Sequence, residues 1–141
     1  MRWSGLAKKS MGIAKDYVSE RKSFGTPLGD HQGVQWMPGE CAMDIQVGRL
    51  LTMNAAWKID QGDFSRKEVS MAKVAVAATL TKSVDTAIQR CGAKGYSRDT
   101  LLEWIYRDAK AAHLIDGASE IHKMVLFRFY VNEGSDFWSW N

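Results

Sequence analysis

The apolar positions in the first part of the chain recur at helical spacing. Across 3–18 they fall three or four residues apart with charged residues between them, which predicts a first helix over about Ser4–Arg21. A loop with two glycines and a proline follows at 24–29, since these residues end helices. Asp30 is then the predicted N-cap of a second, longer helix that ends at 61–63.

This second helix carries apolar residues on two sides, which predicts that it is packed on two sides. Pro38 and Gly39 lie one or two turns after its start. Proline removes a backbone donor and clashes with the preceding turn. We therefore predict a kink or a displaced first turn at this position.

The spacing of Ser65 and Glu68 is that of a capping box, which predicts the start of a third helix. In that motif the serine hydroxyl accepts from the Glu68 amide, and the Glu68 carboxylate accepts from the Ser65 amide. The apolar residues that follow keep near-heptad spacing up to Cys91, which is typical of a helix in a bundle with small crossing angles. Gly92–Tyr96 ends this helix.

Two further helical segments complete the chain. Ser97 or Asp99 can cap a fourth helix, which Asp116-Gly117 ends, and a fifth follows with apolar residues at 121–127. A frayed end and an aromatic tail are predicted at 133–140. No internal repeat or strand-like alternation is present. The predicted fold is all-α, an antiparallel four-helix up-down bundle with a short extra helix and an aromatic tail.

Composition and charge narrow the class of protein. With 141 residues, 45% hydrophobic and 25% charged, the sequence predicts one folded domain over 1–141 rather than a disordered or membrane-spanning chain. The net charge is +3 and no run of five like charges occurs, which argues against nucleic-acid binding. The beginning of the chain lacks the apolar core of a signal peptide, so we expect a cytoplasmic protein.

Metal and disulfide chemistry is not predicted. Cys41 and Cys91 are too few for a disulfide framework and are not in a CxxC motif. His31, His113 and His122 lack metal-ligand spacing and are predicted to be structural or surface residues.

The loop sequences, taken in order, point to a protein family more specifically than the helical segments do. Together they closely resemble the acyl-CoA dehydrogenase family, from the start of the chain to about Arg128. The resemblance is to that family's C-terminal helical domain, a four-helix bundle, while its N-terminal helical domain and middle β-domain are absent. The matching segments are 17–28 with its ERxxFG motif, Gln32, 60–62, 67–73, 89–96, 107–110 and 115–121.

This resemblance implies which residues face the cofactor. Family members hold FAD between the β-domain and this bundle, and a neighbouring subunit's bundle supplies an arginine to the diphosphate. Arg21 stands at that position, Phe24 matches an aromatic next to the flavin, and Gln32 matches a glutamine at the adenine end. From the residues alone, Arg21 can also be a charge capping the first helix, Phe24 a core residue, and Gln32 an exposed polar residue.

A second cofactor segment is implied by the 89–95 turn. Gln89, Gly92 and Ala93 lie where the family has its QxxGGxG turn, whose glycines let the backbone approach the cofactor of the adjacent subunit. Ala93 replaces the second glycine, and Lys94 follows it. By itself, the turn can also be a plain helix C-cap that needs no ligand.

Asp116 is the implied catalytic residue. Asp116-Gly117-Ala118 stands where many members carry Glu-Gly-Thr, whose glutamate is the base, and some branches carry aspartate there. The base removes a proton α to the thioester carbonyl while the β-carbon passes a hydride to the flavin. A carboxylate can do so when burial raises its pKa. The residues alone leave a second interpretation open, in which Asp116 caps the helix that begins near Ser119.

The implied function is that of a flavoprotein oxidoreductase of fatty acid metabolism, an FAD-dependent acyl-CoA dehydrogenase. Because two domains are missing, we expect this chain to be inactive alone and to retain FAD only in a complete assembly. The expected partners are the acyl-CoA substrate, further copies of the chain and a separate β-domain-containing subunit. The alternative is a non-catalytic helical oligomerisation module or partner subunit.

Overall fold

The computed structural model describes residues 1–139, and these form an almost entirely helical chain. A two-residue antiparallel hairpin, Lys22–Ser23 with Thr26–Pro27, and two short 3-10 helices, Leu28–Asp30 and Gly134–Trp138, complete it. The predicted all-α class is confirmed. The helices are α1 (Arg2–Glu20), α2 (Gln32–Asp60), α3 (Arg66–Cys91), α4 (Ala93–Tyr96), α5 (Leu102–Ala112) and α6 (Ser119–Glu133).

Helix α3 is the centre of the fold. It contacts α1, α2, α4, α5 and α6, with the largest contacts to α1 and α2. Helix α2 runs antiparallel to it, because the Cys41 Sγ lies 3.6 Å from the Thr86 Oγ1 while Lys58 Nζ lies 3.6 Å from the Glu68 carboxylate. The up-down order of four helices stays a prediction, since α3 is surrounded by more than three neighbours.

The core is built from small and branched side chains on α3. Leu80, Val84 and Ala87 are fully buried, as are Ala7 and Ala14 on α1. Alanine brings helix axes close together. Helices α2 and α3 also approach each other closely at Gly48, because a Cβ on this residue would lie 3.1 Å from the Val76 Cγ2. This apolar stripe was predicted from the sequence spacing.

One predicted helix start and one predicted capping motif are wrong. Helix α2 follows His31 as its N-cap, while Asp30 ends the preceding 3-10 helix. Ser65 is the N-cap of α3, but its hydroxyl donates to the Asp63 carbonyl at 3.3 Å and no capping box forms. The reason is backbone geometry. Ser65 has φ −66° and ψ 44° rather than the extended conformation of a capping serine, and the Glu68 carboxylate pairs with Lys58 instead.

Helix α5 also begins later than predicted. Neither Ser97 nor Asp99 is its N-cap, since α5 follows Leu101. The Thr100 hydroxyl accepts the Leu102 amide at 3.3 Å just before the helix, and Leu101 at the N-cap position makes no side-chain capping bond.

The other local predictions concern Pro38 and the end of the chain. Helix α2 is continuous from Gln32 through Pro38, so the displaced first turn is wrong and the kink stays a prediction. Residues 134–138 form a 3-10 helix rather than a frayed end, because Phe137 packs on Tyr130 with ring centroids 5.6 Å apart. Trp140 of the aromatic tail lies outside the described residues. Within 1–139, no helix is long and apolar enough to cross a membrane.

We expect Leu80→Ala to lower the free energy of unfolding by about 2–5 kcal/mol, because it leaves a cavity in a fully buried site. Leu101→Ala removes the same atoms from a side chain that is 57% exposed. Its free energy of unfolding should stay within about 0.5 kcal/mol of the wild-type value. Urea denaturation of the three proteins measures the difference. Equal losses in the two variants would contradict the central position of α3.

Candidate functional site

The Asp116 loop, residues 113–118, connects α5 to α6. Its tip is Asp116-Gly117, and its base is formed by the residues next to the two helices. Asp116 is exposed and has φ +55°, and Gly117 follows with φ +88°. Helix α6 has Ala118 as its N-cap and no side-chain capping bond. The interpretation of Asp116 as a cap for this helix is therefore wrong. Its carboxylate makes no hydrogen bond within residues 1–139 and faces solvent.

The tip of this loop is bonded to a histidine. The Asp116 carbonyl lies 3.1 Å from the Nε2 of His122, and the Nδ1 of His122 lies 3.0 Å from the Oγ of Ser70 on α3. A Cβ placed on Gly117 would lie 3.0 Å from the same Nε2. The histidine therefore joins the loop tip to the central helix.

The base of the loop is held by a second cluster. Lys73 Nζ donates to the Ser119 Oγ at 3.2 Å and to the His113 carbonyl at 3.4 Å. The His113 ring contacts the Thr81 Oγ1 at 3.0 Å and the Ser119 Oγ at 3.2 Å. Burial lowers the pKa of His113, and the charges of Lys110 and Lys73 act in the same direction. Burial also lowers the pKa of Lys73, against the opposing charges of Glu120 and Asp116.

Arg21 and Phe24 lie on an exposed hairpin. Arg21 is the C-cap of α1, and its carbonyl accepts the Leu28 amide at 2.6 Å, which closes the hairpin. Phe24 has φ +53° and is 95% exposed, with its ring 6.3 Å from that of His31. The interpretation of Phe24 as a core residue is therefore wrong.

The remaining predicted cofactor residues are also on the surface. Gln32 is the exposed first residue of α2, and Gln89 lies exposed in the last turn of α3. Gly92 caps α3 with φ +57°, and the exposed Ala93 begins α4. Gly95 has an internal reason to be glycine, since a Cβ there would lie 2.8 Å from the Ile88 carbonyl. The helix-cap interpretation of Gly92 fits its geometry.

These residues occupy the two ends of the bundle. Lys94 lies 5.9 Å from the Tyr17 ring, which puts the 89–93 turn beside the end of α1 and its hairpin. Lys73, next to the Asp116 loop, precedes Cys91 by 18 residues on α3, and 18 residues of helix span roughly 27 Å. Asp116 is thus separated from the six predicted cofactor residues within one chain.

The structure adds residues that the sequence did not single out for the site. Lys73, Ser70 and Ser119 have ordinary helical positions in the sequence, and only their contacts show that they hold the Asp116 loop. The three histidines all have partners within the chain, in agreement with their prediction as structural residues. A groove of about 730 Å³ between α1 and α2 is lined by none of the predicted site residues.

We expect the free energy of unfolding to fall as the pH is lowered from 7 to 5. The pKa of His113 is lowered in the fold, so its contribution is present above the ordinary histidine pKa of about 6.5 and is lost below it as the unfolded chain takes up protons first. His113→Gln cannot titrate and should show a shallower dependence. Thermal unfolding of both proteins across this range measures the slopes, and identical slopes would contradict the prediction.

The comparisons with known proteins agree with this architecture. The family model "Acyl-CoA dehydrogenase, C-terminal domain" matches residues 1–130. The 3-(aryl)acrylate reductase of Clostridium sporogenes is 34% identical over 122 residues, which are 86% of this chain and 32% of that protein. The acryloyl-CoA reductase (NADH) of Anaerotignum propionicum is 36% identical over 124 residues, 88% of this chain and 32% of that protein.

The fold comparison gives the same result. The butyryl-CoA dehydrogenase structure from Megasphaera elsdenii matches with a TM-score of 0.88 and 27% identity, over 92% of this chain and 34% of that one. The chain spans about a third of the length of the relatives it matches. A family model that covers nearly all of the sequence and a shared helical fold show that this chain belongs to the acyl-CoA dehydrogenase family, of which it is the C-terminal domain.

Proposed function

We propose that this chain is the C-terminal part of an FAD-dependent acyl-CoA dehydrogenase and is inactive alone. The observation that carries the proposal is the solvent-facing Asp116 carboxylate on a loop that is bonded to the central helix at its base and tip. Several relatives are named for CoA thioesters, among them a glutaryl-CoA dehydrogenase from Desulfococcus multivorans. An acyl-CoA thioester is accordingly the proposed substrate class.

Asp116 would act as the base of this reaction. Its carboxylate takes the proton from the carbon α to the thioester carbonyl, as hydride leaves the β-carbon and a carbon–carbon double bond forms. In the isolated chain Asp116 is exposed. When the rest of the protein covers it, desolvation would disfavour the charged carboxylate and so make it a stronger base.

The opposite end of the bundle suits FAD. Arg21 is exposed and forms no ion pair within residues 1–139, so its guanidinium is available to a diphosphate. The exposed Phe24 ring would lie against the flavin, and Gln32 would contact the adenine end. Gln89, Gly92 and Ala93 offer a short exposed turn to the same cofactor. Bound FAD supplies the acceptor for the hydride that leaves the β-carbon.

The separation of these two ends supports a proposal about assembly. Asp116 and the Arg21 hairpin lie toward opposite ends of α3, whose residues 73–91 span roughly 27 Å at a rise of about 1.5 Å per residue. One chain would therefore serve as base at one cofactor and as phosphate ligand at another. A homo-oligomer satisfies this requirement, and a separate subunit with a β-domain is a further proposed partner.

The exposed apolar surface also supports self-association. Helix α2 carries a stripe of side chains that are 53–64% exposed at helical spacing: Met43, Val47, Leu50, Met53 and Trp57. Helix α6 carries further exposed apolar side chains: Ile121, Met124, Phe127, Tyr130 and Val131. Apolar patches of this extent on a small bundle mark interaction surfaces.

We expect the chain to sediment as a dimer or larger at tens of micromolar, and Leu50→Asp to shift it toward monomer, because the stripe would then carry a charge. Leu101→Asp changes an equally exposed leucine outside the stripe and should leave the assembly intact. Sedimentation velocity distinguishes the two variants. A monomeric wild-type chain would contradict the proposal.

We expect Asp116→Asn to lower turnover in the complete enzyme by orders of magnitude with its flavin content unchanged, because the variant keeps the volume of the side chain and removes the base. Asp85→Asn, which neutralises an exposed carboxylate on α3, is the matched control. Acyl-CoA-dependent bleaching of the flavin absorbance measures turnover. Full activity of Asp116→Asn would leave the base to be sought elsewhere, and an assembly without flavin would favour the oligomerisation module.

A further inference from the structure

His122 is the only side chain bonded to the tip of the Asp116 loop within residues 1–139. The Asp116 carbonyl can only accept a hydrogen bond, so the Nε2 of His122 carries the proton. In the neutral ring the Nδ1 is then an acceptor, and the Ser70 hydroxyl donates to it at 3.0 Å. Ser70 is 1% exposed on the central helix, so it is a fixed anchor.

The backbone of the loop tip needs such a support. Asp116 at φ +55° and Gly117 at φ +88° are consecutive left-handed residues, and this conformation is unfavourable for a residue other than glycine. The Asp116 side chain makes no hydrogen bond within residues 1–139 that would select it. The support comes from His122 on α6, whose ring bonds to the backbone carbonyl of Asp116.

The ring also packs against the next residue. A Cβ on Gly117 would approach the His122 Nε2 to 3.0 Å, so the imidazole fills the space beside the loop tip. The base of the loop is held separately, by Lys73, Ser119 and His113. Removing the His122 contact should therefore release the tip while the base stays in place.

We propose that His122 is a positioning residue for Asp116. Its imidazole connects the Asp116 carbonyl to Ser70 and so fixes the direction in which the carboxylate leaves the backbone. This inference rests on the proposed role of Asp116 as the base. Proton abstraction requires close and aligned atoms, and a small displacement of a catalytic group costs a large factor in rate. His122 acts on turnover through Asp116 and touches neither substrate nor cofactor in this assignment.

A pair of amides can test this assignment. The terminal amide nitrogen of glutamine takes the place of the histidine Nε2, so His122→Gln keeps a donor for the Asp116 carbonyl. The shorter side chain in His122→Asn matches the Nδ1 position and can bond to Ser70 only. Both variants remove the imidazole ring, so the difference between them isolates the bond to the loop tip.

The first measurement uses the chain alone and needs no activity. Backbone ¹⁵N relaxation should give order parameters of about 0.85 at residues 116 and 117 in the wild type and in His122→Gln, and below about 0.6 in His122→Asn. Unchanged values at Ser119 and equal melting temperatures would show that the base of the loop and the fold are intact. High order parameters at the loop tip in His122→Asn, equal to those of the wild type, would overturn the proposed positioning role of His122. If His122→Asn fails to fold, His122→Leu, which has no donor for the Asp116 carbonyl, replaces it with the same expected loss of order.

The second measurement uses the complete, flavin-containing enzyme. We expect His122→Asn to lower kcat about tenfold or more, with KM changed less than about twofold, and His122→Gln to restore most of kcat. If Asp116→Asn abolishes turnover and His122→Asn has no effect on kcat, the inference is overturned and the proposed function stands. If Asp116→Asn is fully active, the proposed role of Asp116 as the base fails, and the relaxation experiment still decides whether His122 holds the loop.

Discussion

The packing of α3 against five other helices is the constraint on which the rest of the structure depends. Its fully buried residues Ala77, Leu80 and Val84 belong to one core cluster with residues of α1 and α5, which come from earlier and later parts of the chain. Interiors packed to this density allow little movement of one helix relative to another. The position of each loop at the ends of the bundle is therefore set by where its flanking helices contact α3.

The same helix carries the polar anchors of the candidate site. Ser70, Lys73 and Thr81 lie on α3 and bond to the segment between α5 and α6. Buried polar groups that are fully bonded make a local structure unique, because any alternative arrangement leaves donors and acceptors unpaired. A rigid helix thus holds a loop whose own backbone is strained at Asp116.

The bundle leaves much apolar surface uncovered. The outer faces of α2 and α6 and the groove between α1 and α2 are all open in this chain, which spans about a third of its relatives. Charged side chains line part of that groove, including Lys8, Arg49 and Arg90. These surfaces, together with the exposed Arg21 hairpin, are where the proposed assembly would form.

The sequence by itself determined the helices and their buried faces. Apolar spacing located α1, α2 and α3, and predicted the buried stripe from Ala72 to Cys91, because helical periodicity is a local property of the chain. Glycine-containing turns marked the ends of the helices for the same reason. The motifs around Arg21 and Asp116 pointed to the family, which the comparisons showed.

Only the tertiary structure decided the contacts between distant segments. Ser65 and Glu68 had the spacing of a capping box, yet Glu68 pairs with Lys58, because the chain reversal between α2 and α3 brings that cation close. His122 and Ser70 are 52 residues apart, and their hydrogen bond exists only because α6 packs against α3. Local spacing fixes helices and turns, whereas the support of the Asp116 loop depends on packing that no short stretch of sequence contains.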